Sequence, residues 1–120
     1  MPASNSQMIR KLQVALNSKG GKILCNRSQF YSEQQKRPVT IYKVCQSVPN
    51  PSTGKYNHVE LFSSASEIQV VLFMRNLWYV VNGKEVPPTN KMKGSAYFER
   101  QWREFVEQRL NSFLEQLNNS

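Results

Sequence analysis

SASEIQVVLFMRNLWYVVNG, residues 64–83, is the densest apolar run of the chain and the stretch on which the fold depends. Its valines and aromatic residues favour strands, so the run suits either a buried helix or a β-hairpin. A hairpin needs its turn near Arg75-Asn76, a pair that lacks the glycine favoured in tight two-residue turns. One unbroken strand of this length is about three times longer than usual.

The two ends of the run favour the helix. Ser64 and Glu67 have the spacing of a capping box, in which each side chain bonds the backbone amide of the other residue. Asn82-Gly83 is typical of the left-handed stop that ends a helix. We therefore predict a largely buried helix over residues 65–82 and keep the hairpin as the alternative.

The chain before this run shows a helical pattern and then alternating patterns. Its first apolar residues fall on one face of a helix that Ser4 or Ser6 can cap and Gly20-Gly21 can stop. Alternation then predicts an antiparallel hairpin and one more short strand. The expected strands are residues 22–31, with a bulge at 26–28, residues 39–48 and, after a loop over 49–57, residues 58–62.

The chain after the run predicts an irregular stretch over 84–94 and then one long helix. Ser95 can cap that helix, and its apolar residues recur at steps of three and four as far as Leu117. The assembled prediction is an α+β fold in the order α-β-β-β-α-α. About three antiparallel strands form a small sheet packed by helices, with the central helix between the sheet and the last helix.

Length and composition indicate one domain, residues 1–120, that can bury a core without disulfides or metals. Arg75 and Asn76 interrupt the best candidate for a membrane span, and the amino terminus has no signal-peptide core. We therefore expect a cytoplasmic protein without a membrane partner. Cys25 and Cys45 are too few for a disulfide framework or a zinc site, so both are expected to be reduced.

The acidic residues argue against a nuclease or a polymerase. All eight are Glu, whereas sites for hard metals and phosphoryl transfer very often use Asp. His58 is the single histidine, and a catalytic reading has to combine it with a cysteine, Glu60 or Glu67. No spacing in the sequence joins those groups, so we predict no catalytic residues, no metal site and no cofactor.

The basic residues are concentrated in the first half of the chain. Residues 1–58 contain nine Lys or Arg and one Glu, which gives this half a net charge of +8. Residues 59–120 contain seven basic and seven acidic residues and are therefore neutral overall. A basic surface of this kind attracts polyanions, because binding releases their counterions.

The charge distribution predicts a non-enzymatic accessory protein that binds DNA or RNA through its first helix and hairpin. Aromatic residues lie among the basic ones, at Phe30, Tyr31, Tyr42 and Tyr56, and can stack on unpaired bases. The predicted contact residues are Arg10, Lys11, Lys22, Arg27, Tyr31, Lys36, Arg37, Tyr42 and Lys43. The alternative is a protein-interaction module, an adaptor or inhibitor, that docks on an acidic partner or self-associates.

One segment also resembles known proteins. The run SEIQVVLFMRNLWYVVNGKEVPP, residues 66–88, resembles a segment in small, functionally uncharacterised proteins of conjugative and phage-like elements in Gram-positive bacteria. The resemblance implies an accessory protein of a mobile element. It assigns no functional residue.

Overall fold

A computed structural model describes residues 4–89 and 95–118. Within these ranges the chain forms four helices and a three-stranded antiparallel sheet, which confirms the α+β prediction. In chain order the elements are α1 (Asn5–Ser18), β1 (Ile23–Ser32), β2 (Arg37–Asn50), β3 (Lys55–Ser64), α2 (Glu67–Val81), α3 (Ser95–Gln108) and α4 (Leu110–Asn118). The irregular stretch predicted over 84–94 lies partly outside the described residues.

The central run forms helix α2, as predicted, but the predicted capping box is wrong. The N-cap is Ser66, and its side chain makes no capping hydrogen bond. Ser64 is still part of β3, where its hydroxyl accepts a hydrogen bond from the Ser66 amide and donates one to Gln69. The predicted stop is confirmed, because the helix ends at Val81, Asn82 is its C-cap and Gly83 has a left-handed φ of 69°.

The strands run in the spatial order β1-β2-β3 and are longer than predicted. β2 pairs with β3 as far as Asn50 opposite Lys55, so the expected loop over 49–57 is a short turn. The predicted bulge at 26–28 is wrong, because β1 pairs with β2 in one continuous register. A register shift occurs instead where β2 passes from Val44 to Cys45 and leaves β3 with one additional residue.

Helix α1 begins with a capping box of its own. Of the two candidate serines Ser4 is the N-cap, and its side chain and that of Gln7 each bond the backbone amide of the other residue. The chain leaves the helix through Gly20 and Gly21, as predicted. A Cβ on Gly21 would lie 2.9 Å from the carbonyl oxygen of Leu16, so only glycine fits this close approach.

The predicted last helix is divided into α3 and α4 at Arg109. The backbone hydrogen bonds continue through the break, since the Arg109 amide donates to Phe105 and the Phe113 amide donates to Arg109. The break is therefore a bend that keeps both phenylalanines in the core, with ring centroids 6.3 Å apart. After the bend, the Phe113 carbonyl accepts a hydrogen bond from the buried Gln46 of β2.

The core lies between one face of the sheet and the helices. Phe73 of α2 stacks on Phe62 of β3 at 4.7 Å and meets Trp102 and Phe105 of α3 at 5.5 and 5.0 Å. Helix α2 therefore contacts both the sheet and α3, as expected. Strand alternation places Val44 on this helix-covered face and its neighbours in β2 on the opposite face. None of the described helices is both long and apolar enough to cross a bilayer.

Candidate nucleic-acid interface

The β1–β2 hairpin extends past the end of the third strand. β3 ends at Ser64, opposite Tyr42 of β2, whereas the pairing of β1 with β2 continues to Ser32 opposite Arg37. We refer to residues 27–41 as the projecting hairpin. Its side chains are exposed from the β1 end to the turn and half-buried where β2 returns to the core.

Two aromatic rings and three cations occupy this projecting hairpin. Phe30 is 52% exposed and Tyr31 is 58% exposed, values far above those of the core aromatics. The two residues are consecutive in a strand, so their rings lie on opposite faces of the hairpin. Arg27, Lys36 and Arg37 are also exposed. The hairpin thus combines flat apolar surfaces with positive charge on a narrow, two-stranded ribbon.

Among the described residues, the three hairpin cations form no salt bridge with a carboxylate. Across residues 4–89 and 95–118 the structure contains one salt bridge, between Lys43 Nζ and Glu60 Oε1 at 3.8 Å. Both of its side chains are about half exposed, so the pair contributes little to stability. The charges of Lys36 and Arg37 are therefore available to an external anion, and so in part is that of Arg27, which lies close enough to Tyr42 to oppose the rise in the pKa of that hydroxyl.

Tyr42, another predicted contact residue, joins three elements of the fold. It is half-buried, and its hydroxyl donates a hydrogen bond of 2.8 Å to Glu67 Oε1 at the start of α2. Ser6 of α1 donates to the other carboxylate oxygen at 3.3 Å. The hydrogen bond to Glu67, followed by desolvation, raises the pKa of Tyr42. This ring is already engaged within the protein and is less accessible to a base than Tyr31.

Arg10 and Arg27 lie on one groove between α1 and β1. The groove has a volume of about 340 Å³, and its apolar lining includes Ile9, Val14 and Cys25. It also contains the carboxylate of Glu67, which makes it less positive than the projecting hairpin. The structure therefore brings together two predicted cations from different elements, at the side of the hairpin.

The remaining predicted cations on the sheet lie on its other side. Lys22 and Lys43 alternate with residues of the helix-covered face, so both belong to the opposite face, which we call the open face. Lys22 Nζ lies 5.3 Å from the ring centroid of Tyr56. The nine predicted residues thus divide into the α1 groove with its helix (Arg10, Lys11, Arg27, Tyr42), the projecting hairpin (Tyr31, Lys36, Arg37, again with Arg27) and the open face (Lys22, Lys43).

The predicted contact set omits Phe30, although its exposure is similar to that of Tyr31. A signal for it exists in the sequence. Two consecutive aromatic residues in a strand cannot both face one core, so at least one of Phe30 and Tyr31 has to lie outside it. In this hairpin both do, because the core ends before the strands do.

The structure brings together only some of the side chains that could have formed a catalytic site with His58. Cys45 lies opposite Glu60 across the β2–β3 pair, and His58 follows two residues away on the same face. Burial, and then the charge of Glu60, raises the pKa of the Cys45 thiol. A reactive cysteine needs the opposite shift, because the thiolate is the nucleophile. Glu67 is on the helix-covered side, bonded to Tyr42.

The two cysteines are free and point to opposite faces of the sheet. Cys25 pairs with Val44, and Cys45 pairs with Leu24, so the two thiols alternate across the β1–β2 pair. They are neighbours on paired strands without being able to bridge. In the described part of the chain, no group of three or more His, Cys, Asp or Glu residues could hold a metal ion.

Comparisons with protein-family models, with curated proteins and with solved structures found no match. The resemblance of residues 66–88 to proteins of mobile elements stays a prediction.

Proposed function

We propose that this protein is a non-enzymatic nucleic-acid-binding protein that uses its projecting hairpin as the principal contact and α1 as a flank. The observation that carries the proposal is the combination, on one ribbon, of exposed Phe30 and Tyr31 with three cations that form no salt bridge within the described part of the chain, Arg27, Lys36 and Arg37. Phosphate contacts from the cations supply affinity through counterion release. The aromatic rings supply stacking on unpaired bases.

The shape of the hairpin is compatible with two modes of binding. A two-stranded ribbon fits the major groove of B-form DNA, where side chains can reach base edges. Exposed rings on both faces of the ribbon, however, favour a single strand, because bases are free to stack only when they are unpaired. We therefore propose single-stranded DNA or RNA as the preferred ligand. The proposal also includes a cytoplasmic location, where the two unpaired thiols would remain reduced.

Matched charge reversals test the proposal. One variant changes Arg27, Lys36 and Arg37 to Glu, and its control changes Arg100, Arg103 and Arg109 on the α3–α4 side to Glu. Both variants alter the net charge by the same amount, so any difference between them reports position. Fluorescence anisotropy with labelled single-stranded DNA, single-stranded RNA and duplex DNA is recorded at two or more salt concentrations, after circular dichroism has confirmed folding.

The expected result is a large loss of affinity in the hairpin variant and a smaller, non-specific loss in the control. Removal of each phosphate contact lowers the slope of log affinity against log salt by about 0.7 for a single strand and about 0.9 for duplex DNA. Equal losses in both variants mean that binding is diffuse and that the hairpin is not a site. No binding by the unmodified protein at about 50 mM salt, where phosphate contacts are strong, contradicts the proposal outright.

The second candidate is a protein-interaction module, and the same hairpin favours it. Large exposed aromatic side chains are typical anchors of protein interfaces, and arginines without a carboxylate partner suit an acidic protein. Failure to bind any nucleic acid, with retention of the fold, moves the assignment to this candidate. The association with a mobile element, implied by the resemblance of residues 66–88, remains part of the proposal only.

A further inference from the structure

The outer edge of β1 carries backbone groups that the fold does not use. Ser47 N–H donates to the Lys22 carbonyl at 2.9 Å, so Lys22 directs its backbone toward β2. Hydrogen-bonded and non-hydrogen-bonded pairs alternate along antiparallel strands. Ile23 therefore directs its own N–H and C=O outward, away from β2. The same alternation makes the outward residues of the rest of the strand Cys25, Arg27, Gln29 and Tyr31.

A side chain confirms this assignment at the first outward position. The Asn17 amide of α1 donates to the Ile23 carbonyl at 3.1 Å and accepts from the Ile23 N–H at 2.6 Å. Asn17 thus occupies the place of a neighbouring strand and closes the edge at that point. No side chain of residues 4–89 or 95–118 does the same for the outward groups of Cys25, Arg27, Gln29 or Tyr31, which remain available for a new strand.

Beyond Ile23, the edge has few of the devices that prevent strand pairing. Natural edge strands are protected by charges, prolines or bulges. β1 has one charged residue, Arg27, no proline and no register shift. The other edge strand, β3, has Lys55 and Glu60 and contains the irregularity of the sheet. Protection on one edge only indicates that the β1 edge is an interaction surface.

We infer that β1 pairs with β1 of a second copy of this chain, antiparallel, about a two-fold axis through Ser28. This axis places Cys25 opposite Tyr31 and Arg27 opposite Gln29, with each pair exchanging two hydrogen bonds. The four outward residues are symmetric about Ser28, so two copies satisfy each other completely. The pairing stops where Asn17 closes Ile23.

The position of Arg27 selects this register for a second copy. An axis through Arg27 would place two arginines directly opposite each other, which is destabilising. With the axis at Ser28, each Arg27 faces Gln29 of the other copy, so the pairing opposes no like charges. The dimer has one six-stranded sheet and carries a projecting hairpin at each end of the new strand pair.

The proposed dimer does not depend on the nucleic-acid proposal. The effect of salt concentration distinguishes the two interactions. Each copy has a net charge of +8, so long-range repulsion opposes association. Screening by salt weakens that repulsion and therefore strengthens the dimer. Nucleic-acid binding responds in the opposite direction, because salt weakens phosphate contacts.

Sedimentation velocity of the full chain over a range of protein and salt concentrations tests the pairing. Gln29→Pro removes an outward N–H without removing a bond to β2, and Gln29→Ala is its control because it keeps that N–H. We expect a concentration-dependent dimer that Gln29→Pro weakens by about tenfold or more, since the same bond is lost twice in a symmetric dimer. Gln29→Ala should dimerise like the unmodified chain.

Cysteine crosslinking tests the register and remains informative if Gln29→Pro does not fold. Two residues at position 28 face each other with Cα atoms about 4.5 Å apart, a separation that a disulfide can span. Ser28→Cys should therefore crosslink under mild oxidation, with the linkage confirmed by mass spectrometry against the unmodified chain. Asn26→Cys should not, because its symmetry mate lies about 13 Å along the strands. A monomer at every concentration, a dimer insensitive to Gln29→Pro, or equal crosslinking at both positions overturns the inference.

Discussion

Phe73→Ala is the substitution that most directly tests the packing of α2 against the sheet and α3. The Phe73 side chain is fully buried at 0% exposure. Its ring stacks on Phe62 at a centroid distance of 4.7 Å and an interplanar angle of 7°, and it meets Trp102 and Phe105 edge-on. Truncation removes all three ring contacts at once and leaves a cavity between two layers.

The expected cost follows from these contacts. A buried Phe→Ala change costs about 3–5 kcal/mol, because the transfer energy of the ring is removed and a cavity stays unfilled. Aromatic pairs contribute about 0.5–1.5 kcal/mol each beyond burial. Because Phe73 has three ring partners, we expect Phe73→Ala to lower the free energy of unfolding by about 5 kcal/mol, the upper end of the range for a buried Phe→Ala change. That is a large share of the roughly 5–15 kcal/mol by which domains are stable.

Urea unfolding followed by both circular dichroism and tryptophan fluorescence measures this loss. Trp102 lies 5.5 Å from the Phe73 ring, so its emission reports the same region. Phe30→Ala is the matched control, since that ring is 52% exposed and its loss should change stability by less than about 0.5 kcal/mol. A loss below about 1 kcal/mol for Phe73→Ala, or similar losses for both variants, would refute this packing of α2.

Three further predictions concern the candidate site and the sheet. Tyr31→Ala should weaken single-strand binding by about 1–3 kcal/mol, measured by anisotropy, with unchanged urea stability; an unchanged affinity removes Tyr31 from the interface. Tyr42→Phe should cost about 0.5–1.5 kcal/mol at pH 7, since it removes the hydrogen bond to Glu67. Because folding raises the pKa of Tyr42, its hydroxyl stabilises the folded state fully below the unfolded pKa of 10.0, and this stabilisation is lost as pH rises through the folded pKa. The urea midpoint of the unmodified chain should therefore show a loss of stability in this alkaline range that Tyr42→Phe does not show. Burial raises the pKa of Cys25 and of Cys45, so thiol reagents should react slowly with the folded chain and fully after unfolding; an intramolecular disulfide under oxidation would contradict their placement on opposite faces.

The sequence predicts α2 because the signals for it are local. An apolar run that ends at Asn82-Gly83 needs no knowledge of the rest of the chain, and the helix ends there. The start of the helix depends on the length of β3, which is decided by pairing with β2 and not by local sequence signals. Ser64 pairs with Tyr42 as the last residue of the strand, so the helix begins only at Glu67 and Ser66 occupies the N-cap position.

The errors in the strands and in the last helix have the same origin. Prolines and polar residues predict strand ends, but Pro49 continues β2 because it is paired with Tyr56. The α3–α4 bend leaves no local signal, since the hydrogen bonds on either side of Arg109 are helical and the apolar spacing continues. Partners in the sheet and the core decide these features, and a pattern along the chain does not contain them.

The candidate site shows which features can be predicted from the distribution of charge along the sequence. The sequence locates the basic excess in residues 1–58, but it cannot divide those cations among a groove, a hairpin and an open face. The alternation of side chains along paired strands assigns the cations of the sheet to its two faces. Even-numbered residues of β1 and odd-numbered residues of β2 lie on the open face. Lys43 thereby meets Glu60, while Arg27 meets no carboxylate among the described residues.

The same parity links the hairpin to the unprotected β1 edge. Arg27 and Tyr31 have outward backbone groups, and their side chains also belong to the proposed nucleic-acid contact. Strand pairing uses the backbone and leaves the side chains on the sheet faces, so one residue can serve both interactions. A dimer joined along β1 would hold two such hairpins in a fixed relation, and the effective concentration of the second hairpin would raise affinity for a strand long enough to reach both. If the dimer holds two hairpins in this way, the affinity of the unmodified chain should increase with the length of the nucleic-acid strand. Gln29→Pro should lose this dependence on length.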